Sequence, residues 1–472
     1  MSRITFGLTQ GLSPSQCQAI HDGALEILRR TGIEVPLKRA VKDLSAQKGF
    51  RADASRIRID PEIVEAAAEA YFSRESEGMP LDKDSSRISL VFGGQTQHFL
   101  DMDTGEIRPA LSGDLVTVSR LAYALGINGH APISPSDVDP PLRDIFSFKV
   151  GAEHHPGAEP SPGAVATPIQ ARTAFEMCRI LEKPFTLGQW TSSPLELSRD
   201  GLACLYEFLE DDVTLNIASM PLYGATAALD LGTFLAQSFA EVLGTLAVVS
   251  AIIRNRPPRI GQMVIDITGF EMRTANAVYG SPEQLLLIAA YFQCLRRLHG
   301  RDIHPQSKLL GMGKLPDAQT GAERAFSALF LSLAGARSLF GAGRISKGEV
   351  YSVGQLVIDV EICDYVSRIL KGLLWRDEGL NLDLVDQVGP RGTFLTTDEV
   401  VEGFREEIWT PGLFSYERYV SWEEAGGRSI GERAVEIARQ KIDSADFELD
   451  DGKRRELNSA YEAFRNKALK SS

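Results

Sequence analysis

Short apolar segments alternate with helical stretches from about residue 112 to residue 340, and this alternation constrains the fold more than any other feature. The predicted strands cover residues 131–134, 164–166, 185–188, 214–218, 259–264, 306–310 and 337–340. Strands that alternate with helices pair in parallel through right-handed crossovers. Seven or eight such units within about 280 residues favour a closed (β/α)8 TIM barrel, an α/β fold, over an open sheet.

Different patterns flank this predicted barrel. Ser13 and Gln16 can form a capping box with Pro14 between them, which predicts a helix from residue 13 to 32. Residues 88–92 and 97–100 are β-like pieces separated by glycine turns, which predict an antiparallel hairpin region. We expect three regions: an N-terminal helical and β-hairpin region at 1–110, the barrel at 111–400, and a C-terminal aromatic-rich segment with a helix on the barrel at 401–472.

The composition excludes several classes of protein. Lys and Arg total 50 against 63 Asp and Glu, a net charge of −13, so a nucleic-acid partner is not expected. Five scattered cysteines without a CxxC pair indicate a reducing compartment. The first residues lack a signal-peptide pattern, and the most apolar stretch, 242–253, is too short to span a bilayer. We therefore expect a cytoplasmic protein without a membrane partner.

The stretch 261–283 gives the strongest indication of a functional site. An apolar strand ends there in a polar loop, and Ser281-Pro282-Glu283 then begins a helix. In a parallel barrel the reactive groups gather just past the carboxyl ends of the strands. The candidate substrate-binding residues at such positions are Trp190, Tyr223, Glu271, Arg273, Tyr279, Lys308, Gly311, Met312 and Gly313.

These candidates combine aromatic faces with carboxylates and cations. An aromatic face attracts a quaternary ammonium by about 0.5–2 kcal/mol, so a zwitterion such as a betaine would use both kinds of group. The Gly311-Met312-Gly313 segment would let a ligand approach the backbone. The sequence has no histidine cluster, HExxH motif or nucleophile elbow, so we assign no metal and no catalytic residue. The alternatives are rim packing for Trp190 and Tyr223, and an ion pair between Arg273 and Glu283.

Five motifs together resemble one family. They are His21-Asp-Gly-Ala-Leu-Glu-Ile-Leu, Ala240-Glu-Val-Leu, Met272-Arg-Thr with Tyr279-Gly-Ser-Pro-Glu283, Pro316-Asp-Ala-Gln with Gly321 and Glu323, and Asp359-Val-Glu-Ile. The chain resembles the trimethylamine methyltransferase superfamily from about residue 13 to 440, in particular its glycine-betaine-type members without pyrrolysine. The resemblance implies a (β/α) barrel that moves a methyl group from an amine to the cobalt of a separate corrinoid protein.

The departures from the family pattern narrow this expectation. The loop Gly311-Met312-Gly313-Lys314 contains no pyrrolysine, so trimethylamine is not the expected substrate. The family's Asp-Met-Arg-Thr-Gly is Glu271-Met-Arg-Thr-Ala275 here. The sequence also has no Asp-x-His-x-x-Gly signature for cobalamin. The resemblance therefore implies that this chain binds no cofactor tightly, and that its partners are a small methylated amine, a cognate corrinoid protein and further copies of itself as a homo-oligomer.

On this interpretation Trp190, Tyr223 and Tyr279 would hold the ammonium, Arg273 or Lys308 would bind the carboxylate, and Glu271 would balance the charge. One alternative is a barrel lyase that acts on a small anion through Lys308 or Lys314. Another is a betaine-binding sensor that has lost catalysis. The sequence leaves these three hypotheses open.

Overall fold

The fold comes from a computed structural model that describes residues 2–78, 86–163, 165–254, 257–299 and 306–471. The helices in these ranges are α1 (Pro14–Arg30), α2 (Lys38–Ser45), α3 (Pro61–Gly78), α4 (Ser112–Ala124), α5 (Arg143–His154), α6 (Pro168–Ile180), α7 (Arg199–Glu207), α8 (Leu231–Ile252), α9 (Pro282–His299), α10 (Ala318–Leu333), α11 (Val353–Lys371), α12 (Leu382–Val388), α13 (Asp398–Glu407), α14 (Tyr419–Glu424), α15 (Ile430–Asp443) and α16 (Asp451–Ser471).

The strands are mostly short. They are β1 (Ser2–Ile4), β2 (Ile33–Glu34), β3 (Phe50–Asp53), β4 (Arg56–Ile59), β5 (Ser89–Val91), β6 (His98–Leu100), β7 (Ile107–Pro109), β8 (Thr186–Ser192), β9 (Glu196–Leu197), β10 (Thr214–Ser219), β11 (Arg259–Ile265), β12 (Gly269–Glu271), β13 (Asn276–Val278), β14 (Gln306–Lys308), β15 (Ser338–Phe340), β16 (Arg344–Ile345), β17 (Val350–Tyr351) and β18 (Leu373–Trp375). Single 3-10 turns cover Pro140–Leu142 and Ser346–Gly348.

The first helix begins as predicted. The Ser13 hydroxyl accepts the backbone N–H of Gln16, and the Gln16 side chain accepts the backbone N–H of Ser13, which completes the capping box. The helix buries Ile20 and Leu28 and packs against α8. Helix α1 therefore covers the core helix α8.

The parallel strands form two arcs. In the first arc β10 lies between β8 and β11, and all three run parallel. In the second arc β15 lies between β14 and β5, again parallel. Isolated parallel bridges from Phe92 to Gly129 and from Gly129 to Ala158 extend the second arc by two more segments. The architecture is thus mixed α/β, and the parallel strands bring their carboxyl ends to a common side within each arc.

Three strand predictions differ from the structure. Residues 131–134 form no strand, and Ile133 makes only an isolated parallel bridge to Thr96. Residues 88–92 were predicted to pair in an antiparallel hairpin, but β5 pairs in parallel with β15, and the hairpin of this region is formed by β6 and β7. Val165 and Ala166, predicted as part of a strand, are not in a strand and lead into the helix cap Thr167, whereas residue 164 lies outside the described residues. A strand of three residues is too short for its apolar pattern to indicate which strand it pairs with.

One helix, α8, is long and apolar enough to cross a membrane by length and composition. It has 22 residues, more than the twelve-residue stretch 242–253 recognised in the sequence, and 83% of its most apolar window is buried within the protein. It packs against α1, α3, β8, β10 and β11. A helix that is apolar on every side and enclosed in this way is a core helix.

The chain leaves the core after α11 as a protruding segment, residues 373–408, which we call the arm. Arg368 ties both ends of the arm, because its guanidinium donates to the backbone carbonyls of Gly372 and Glu407. Strand β18 of the arm pairs with the N-terminal strand β1. After the arm the chain returns to the core, where α15 packs on α11 and α4, and α16 packs on α5 and α6.

Candidate active site

Four side chains from neighbouring segments form a cluster past the carboxyl ends of β11, β14 and β15, which we call the mouth cluster. Asp266 directly follows β11, Lys308 is the last residue of β14, and Arg344 begins β16 just after β15. Tyr279 follows the β12–β13 hairpin. Lys308 and Tyr279 were candidates from the sequence, whereas Asp266 was not.

Lys308 makes the closest contacts in the mouth cluster. Its ammonium forms an ion pair with the Asp266 carboxylate, and the two side chains are 28% and 8% exposed. The same Nζ atom lies 5.5 Å from the centroid of the Tyr279 ring. Burial, the largest single effect, lowers the pKa of Lys308, but the charge of Asp266, the Tyr279 hydroxyl and the hydrogen bond to Asp266 together outweigh burial and leave this pKa raised. Lys308 is therefore a protonated, ion-paired amine rather than a free nucleophile.

Arg344 is held in a narrow slot between two glycines. A Cβ atom at Gly94 would lie 2.3 Å from the Arg344 Cζ atom, and one at Gly348 would lie 2.2 Å from its Nη2 atom. Burial lowers the pKa of Arg344 to about 10, so the guanidinium is still charged at neutral pH. Its Nε atom is buried and has no hydrogen-bond partner within the described residues. An unused, charged donor of this kind fits an anionic group.

A buried ion pair fastens the loop that carries Arg344. Arg324 and Asp359 are both 0% exposed, and their Nη1 and Oδ2 atoms lie 3.6 Å apart. Arg324 donates to the backbone carbonyl of Arg344. Asp359 accepts the backbone N–H of Gly343 at 2.8 Å and the side-chain amide of Gln355 at 2.8 Å. The backbone at Gly343 and Arg344 is thus fixed from the side of the helices α10 and α11.

The backbone of the glycine segment 311–313 is also held by a side chain of the helix that follows it. One carboxylate oxygen of Glu323 accepts the backbone N–H groups of Met312 at 2.7 Å and Gly313 at 2.9 Å. A Cβ atom at Gly311 would lie 2.3 Å from this same oxygen. The close approach that glycine permits here is therefore made by Glu323.

Replacing Glu323 with alanine is expected to lower the free energy of unfolding by about 1–3 kcal/mol, because two backbone donors lose their acceptor. Urea denaturation would measure the loss, and amide hydrogen exchange at Met312 and Gly313 should accelerate. Gln319→Ala is the matched control, because it removes only an exposed bond to the other Glu323 oxygen, and it should change stability by less than about 0.5 kcal/mol. Equal losses in both variants would contradict the anchoring role.

Gln284 anchors the backbone of a third loop by hydrogen bonds from its side chain. Its side chain accepts the backbone N–H of Gly280 at 2.6 Å and donates to the carbonyl of Ile267 at 2.7 Å. It lies in the first turn of α9, the helix that follows this loop. The loop that carries Tyr279 is thereby closed onto its own helix.

Trp190 lies on the first arc. Its register places it opposite Ala218, and Ala218 opposite Val264, so the three share one face of the sheet. Asp266 follows Val264 by two residues, and side chains two residues apart in an extended chain point to the same face. Adjacent strands are about 4.8 Å apart, which places the Trp190 backbone roughly 10 Å from that of Val264. Trp190 is 40% exposed.

Three other sequence candidates lie further out. Tyr223 donates to the Leu229 carbonyl and packs edge-on against Phe234, with ring centroids 5.3 Å apart. Glu271 and Arg273 pair with each other at 2.8 Å in the β12–β13 hairpin, where Arg273 is 87% exposed. The hydrogen bond from Arg273 lowers the pKa of Glu271 to about 2. Arg273 thus has Glu271 as its ion partner, where the sequence had suggested Glu283.

A second polar group lies beside Arg344. A small cavity of about 20 Å³ is lined by His130 and by the carboxylates Asp144 and Glu159. Burial raises the pKa of both carboxylic acids. The His130 Nε2 atom accepts the backbone N–H of Gly94 at 2.9 Å, so this nitrogen is unprotonated. Burial, together with the nearby Arg344 charge, lowers the pKa of His130 to about 4.

The neutral His130 predicts an acid-dependent loss of stability. Its pKa is lower in the folded than in the unfolded chain, so its contribution is complete above about pH 6.5 and is lost as the pH falls to about 4, by about 3 kcal/mol. Urea denaturation between pH 7.5 and 4 should therefore show a shallower pH dependence for His130→Gln than for the wild type. Asp144 and Glu159 titrate in both proteins, so parallel profiles would rule out the histidine.

Within the described parts of the chain, no group of three or more His, Cys, Asp or Glu side chains could hold a metal ion. The groups that sequence reasoning missed are Asp266, Gln284 and the Arg324–Asp359 pair. Asp266 had a usable signal, because it is the first charged residue after a buried strand. The other three lie inside helices and have no such signal.

The sequence matches the family model described as Trimethylamine methyltransferase (MTTB) over residues 3–469. It is 24% identical over 455 residues to a trimethylamine methyltransferase MttB of Desulfitobacterium hafniense (strain DSM 10664 / DCB-2), with 92% of this chain and 89% of that protein covered. It is 26% identical over 428 residues to a glycine betaine methyltransferase of Desulfitobacterium hafniense (strain Y51), with 87% and 88% covered. The solved monomethylamine methyltransferase (MtmB) of Methanosarcina barkeri aligns with a TM-score of 0.42 and 12% identity, over 94% of this chain and 97% of that chain.

Proposed function

This chain belongs to the trimethylamine methyltransferase family, as its motifs predicted, and from that premise we propose that it moves a methyl group from a quaternary, betaine-like amine to Co(I) of a separate corrinoid protein. The C–N bond breaks and its electron pair stays on nitrogen, which leaves a neutral tertiary amine. The cobalt supplies the pair for the new Co–C bond and becomes Co(III). This displacement needs orientation and exclusion of water but no proton donor.

The mouth cluster supports a zwitterionic substrate. With Asp266 ionised, it contains one negative charge and the two positive charges of Lys308 and Arg344, so one positive charge remains uncompensated. The observation that carries the proposal is the buried Nε atom of Arg344, which has no partner among the described residues. We propose that Arg344 binds the substrate carboxylate, with Lys308 beside it.

We propose that the substrate ammonium lies toward Trp190. The Lys308 ammonium already lies near the Tyr279 ring, 5.5 Å from its centroid, whereas the indole of Trp190 is open. The Trp190 backbone lies roughly 10 Å from that of Val264, across β10, which places Trp190 and Asp266 near the same end of the first arc. Tyr223, Glu271, Arg273 and the Gly311–Gly313 segment stay candidates from the sequence. Arg273 is the alternative to Arg344 as the residue that binds the substrate carboxylate.

The lysine-dependent lyase is not favoured. A Schiff-base amine must be deprotonated, and the pairing of Lys308 with Asp266 keeps its pKa raised. Lys314, the other candidate, donates to the Met312 carbonyl at 2.7 Å in an exposed loop. We therefore keep methyl transfer as the proposed reaction.

We further propose that the two arcs are parts of one closed (β/α)8 barrel. The parallel pair of β15 with β5 supports this, because it joins the last predicted strand unit to a strand near its start. On this proposal the barrel begins at Ser89, before the boundary at residue 111 that the sequence predicted, and ends with α11, before residue 400. We also propose a cytoplasmic location, in keeping with five buried, free thiols.

The test is direct observation of the methyl acceptor. The pure protein would be mixed with reduced cobalamin and with glycine betaine, proline betaine, carnitine, choline or trimethylamine, and the absorbance change from Co(I) to methyl-Co(III) would be followed. We expect conversion with a carboxylate-bearing quaternary amine and none with trimethylamine. Thermal stabilisation by a betaine without conversion, even with the cognate corrinoid protein, would indicate a sensor. The absence of both would overturn the proposal.

A further inference from the structure

Two of the five cysteines lie together in the structure, although 277 positions separate them in the sequence. The Cys294 thiol donates to the sulfur of Cys17, and the two Sγ atoms are 3.2 Å apart. Cys17 belongs to α1 and Cys294 to α9, two helices that pack against each other. The side chains are 1% and 0% exposed, and both thiols are free. The packing of the two helices therefore holds a buried pair of thiols in contact.

The other cysteines have different surroundings. Cys178, Cys204 and Cys363 lie on α6, α7 and α11. The charged groups that act on these three thiols are carboxylates and cations, not a second cysteine. Each of the three is thus a buried side chain of the core, whereas Cys17 and Cys294 form a dithiol.

The distance between the two sulfurs suits a disulfide bond. The S–S bond is about 2.05 Å long, so the sulfurs need to approach by only about 1 Å. Side-chain rotation with a small shift of one helix can supply this displacement. Scattered cysteines indicate a reducing compartment, and disulfides in such a compartment are usually transient and respond to oxidants. The pair is therefore free under reducing conditions and placed to react when an oxidant is present.

The chain that precedes α1 lies beside the thiol pair. The backbone N–H of Leu12 donates to the side-chain carbonyl of Gln293, the neighbour of Cys294, at 2.6 Å. One turn later the Cys17 N–H donates to the Ser13 carbonyl at 3.1 Å. Residues 5–11 of this segment are exposed. Segments near a chain end open locally at low cost, so breaking these two bonds would admit a molecule as small as a peroxide.

This segment also explains why the closed pair would react slowly. Burial, together with the hydrogen bond and charge of Cys17, raises the pKa of Cys294. The thiolate is the reactive form of cysteine, so a buried thiol with a raised pKa is inert until water reaches it. Local opening next to Cys17 therefore governs the rate of oxidation.

We propose that Cys17 and Cys294 form a site of reversible oxidation by a peroxide, and that the resulting disulfide clamps α1 to α9. The Cys17 sulfur attacks one peroxide oxygen and the O–O bond breaks, which gives a sulfenic acid and one water. The Cys294 sulfur then displaces the hydroxyl of the sulfenic acid, which leaves as a second water. The two sulfurs lose two electrons, the peroxide gains them, and the thiol protons end in the two waters. A reducing dithiol restores both thiols by exchange.

The disulfide would close residues 17–294 into one covalent loop. A long loop restricts the unfolded chain strongly, so the oxidised protein is expected to unfold at a higher urea concentration than the reduced protein. The clamp also ties α1 to the helix whose first turn carries Gln284, the anchor of the loop at Gly280.

Peptide mapping of the full chain tests the proposal. The protein would be reduced, freed of reductant, treated with hydrogen peroxide in its native state, then denatured in N-ethylmaleimide and digested without reduction. Mass spectrometry is expected to find the Cys17 and Cys294 peptides joined, with the loss of two hydrogen atoms, while the other three cysteines are alkylated. Dithiothreitol should separate the peptides. Alkylation of Cys17 and Cys294 to the same extent as the others, or their conversion to sulfinic acids without a link, would overturn the proposal.

Two cysteine variants test the clamp by its effect on unfolding. Cys294→Ser should abolish the peroxide-induced rise in the urea midpoint. Cys204→Ser is the matched control, because it also removes a buried thiol but leaves the pair intact, and it should keep this rise. A rise that persists in Cys294→Ser would contradict the clamp. The peptide map of the wild type does not depend on the folding of either variant, and neither measurement involves methyl transfer.

A further pair of variants tests the route to the thiols. Gln293→Ala removes the acceptor of the Leu12 N–H and should speed disulfide formation by about 2–10-fold, the effect of one hydrogen bond on the opening. Gln18→Ala is the control, because it removes only an exposed bond to Asp22 within α1, and its rate should match the wild type. Equal rates in all three proteins would overturn the role given to the segment before α1.

Discussion

An Asp359→Ala variant is expected to lose about 3–5 kcal/mol of unfolding free energy. The substitution leaves the guanidinium of Arg324, which is 0% exposed, without its carboxylate. It also removes the acceptor of the Gly343 N–H and of the Gln355 amide. Urea denaturation of the wild type and the variant at pH 7 would measure the loss.

Two further variants separate the ion pair from general damage to α11. Asp364→Ala changes a solvent-exposed carboxylate on the same helix and should cost less than about 0.5 kcal/mol. The double variant Arg324→Met/Asp359→Leu removes both charges and should recover most of the loss, because no uncompensated charge then remains buried. A double variant less stable than Asp359→Ala would contradict this account.

Arg344→Met is expected to raise the concentration of glycine betaine needed for half-maximal binding by about 100-fold or more, since a desolvated charge pair is lost. Choline has no carboxylate, so its binding should change by less than about threefold. Isothermal titration with both compounds would measure the two effects. Equal losses for both would mean that Arg344 supports the fold of the site rather than the carboxylate.

The variant Arg273→Ala tests whether Arg273 or Arg344 binds the substrate carboxylate. The sequence favoured Arg273 or Lys308 as the carboxylate partner, whereas the structure leaves Arg273 87% exposed and paired with Glu271. A bond from Arg273 to the substrate carboxylate would be as exposed as its pair with Glu271. Because an exposed ion pair contributes about 0–1 kcal/mol, we expect Arg273→Ala to change betaine binding by less than about fivefold. A larger effect at Arg273 than at Arg344 would restore the sequence-based assignment.

The fold could be predicted where the local pattern was long enough. The segments 185–188, 214–218 and 259–264 consist mostly of apolar and small residues, and β8, β10 and β11 lie there. The capping box at Ser13 also predicted the start of α1 correctly. The three residues of β5 could not reveal their parallel partner, because β15 lies 249 positions further along the chain at Ser338. Pairing over such a distance depends on the whole fold and not on the strand itself.

The positions of the site residues could be predicted from the sequence, but the contacts between their side chains could not. Lys308 and Tyr279 were recognised because they follow strand-like runs. The counterion of Lys308 could not be identified, because it depends on how β11 and β14 are placed relative to each other. The acids Glu323 and Asp359 lie in two of the family motifs, yet a sequence motif does not distinguish a substrate-binding carboxylate from one that accepts backbone N–H groups.

Each fastened loop at the mouth is closed by the helix that comes next in the chain. Gln284 of α9 holds Gly280, Glu323 of α10 holds the Gly311–Gly313 segment, and Asp359 of α11 holds Gly343. Loop and helix therefore form a unit that can be inherited and altered as one piece. The α10 and α11 units are in addition joined by the Arg324–Asp359 ion pair, so a substitution at that pair requires a change in both units, whereas the other loop bonds can change within a single unit.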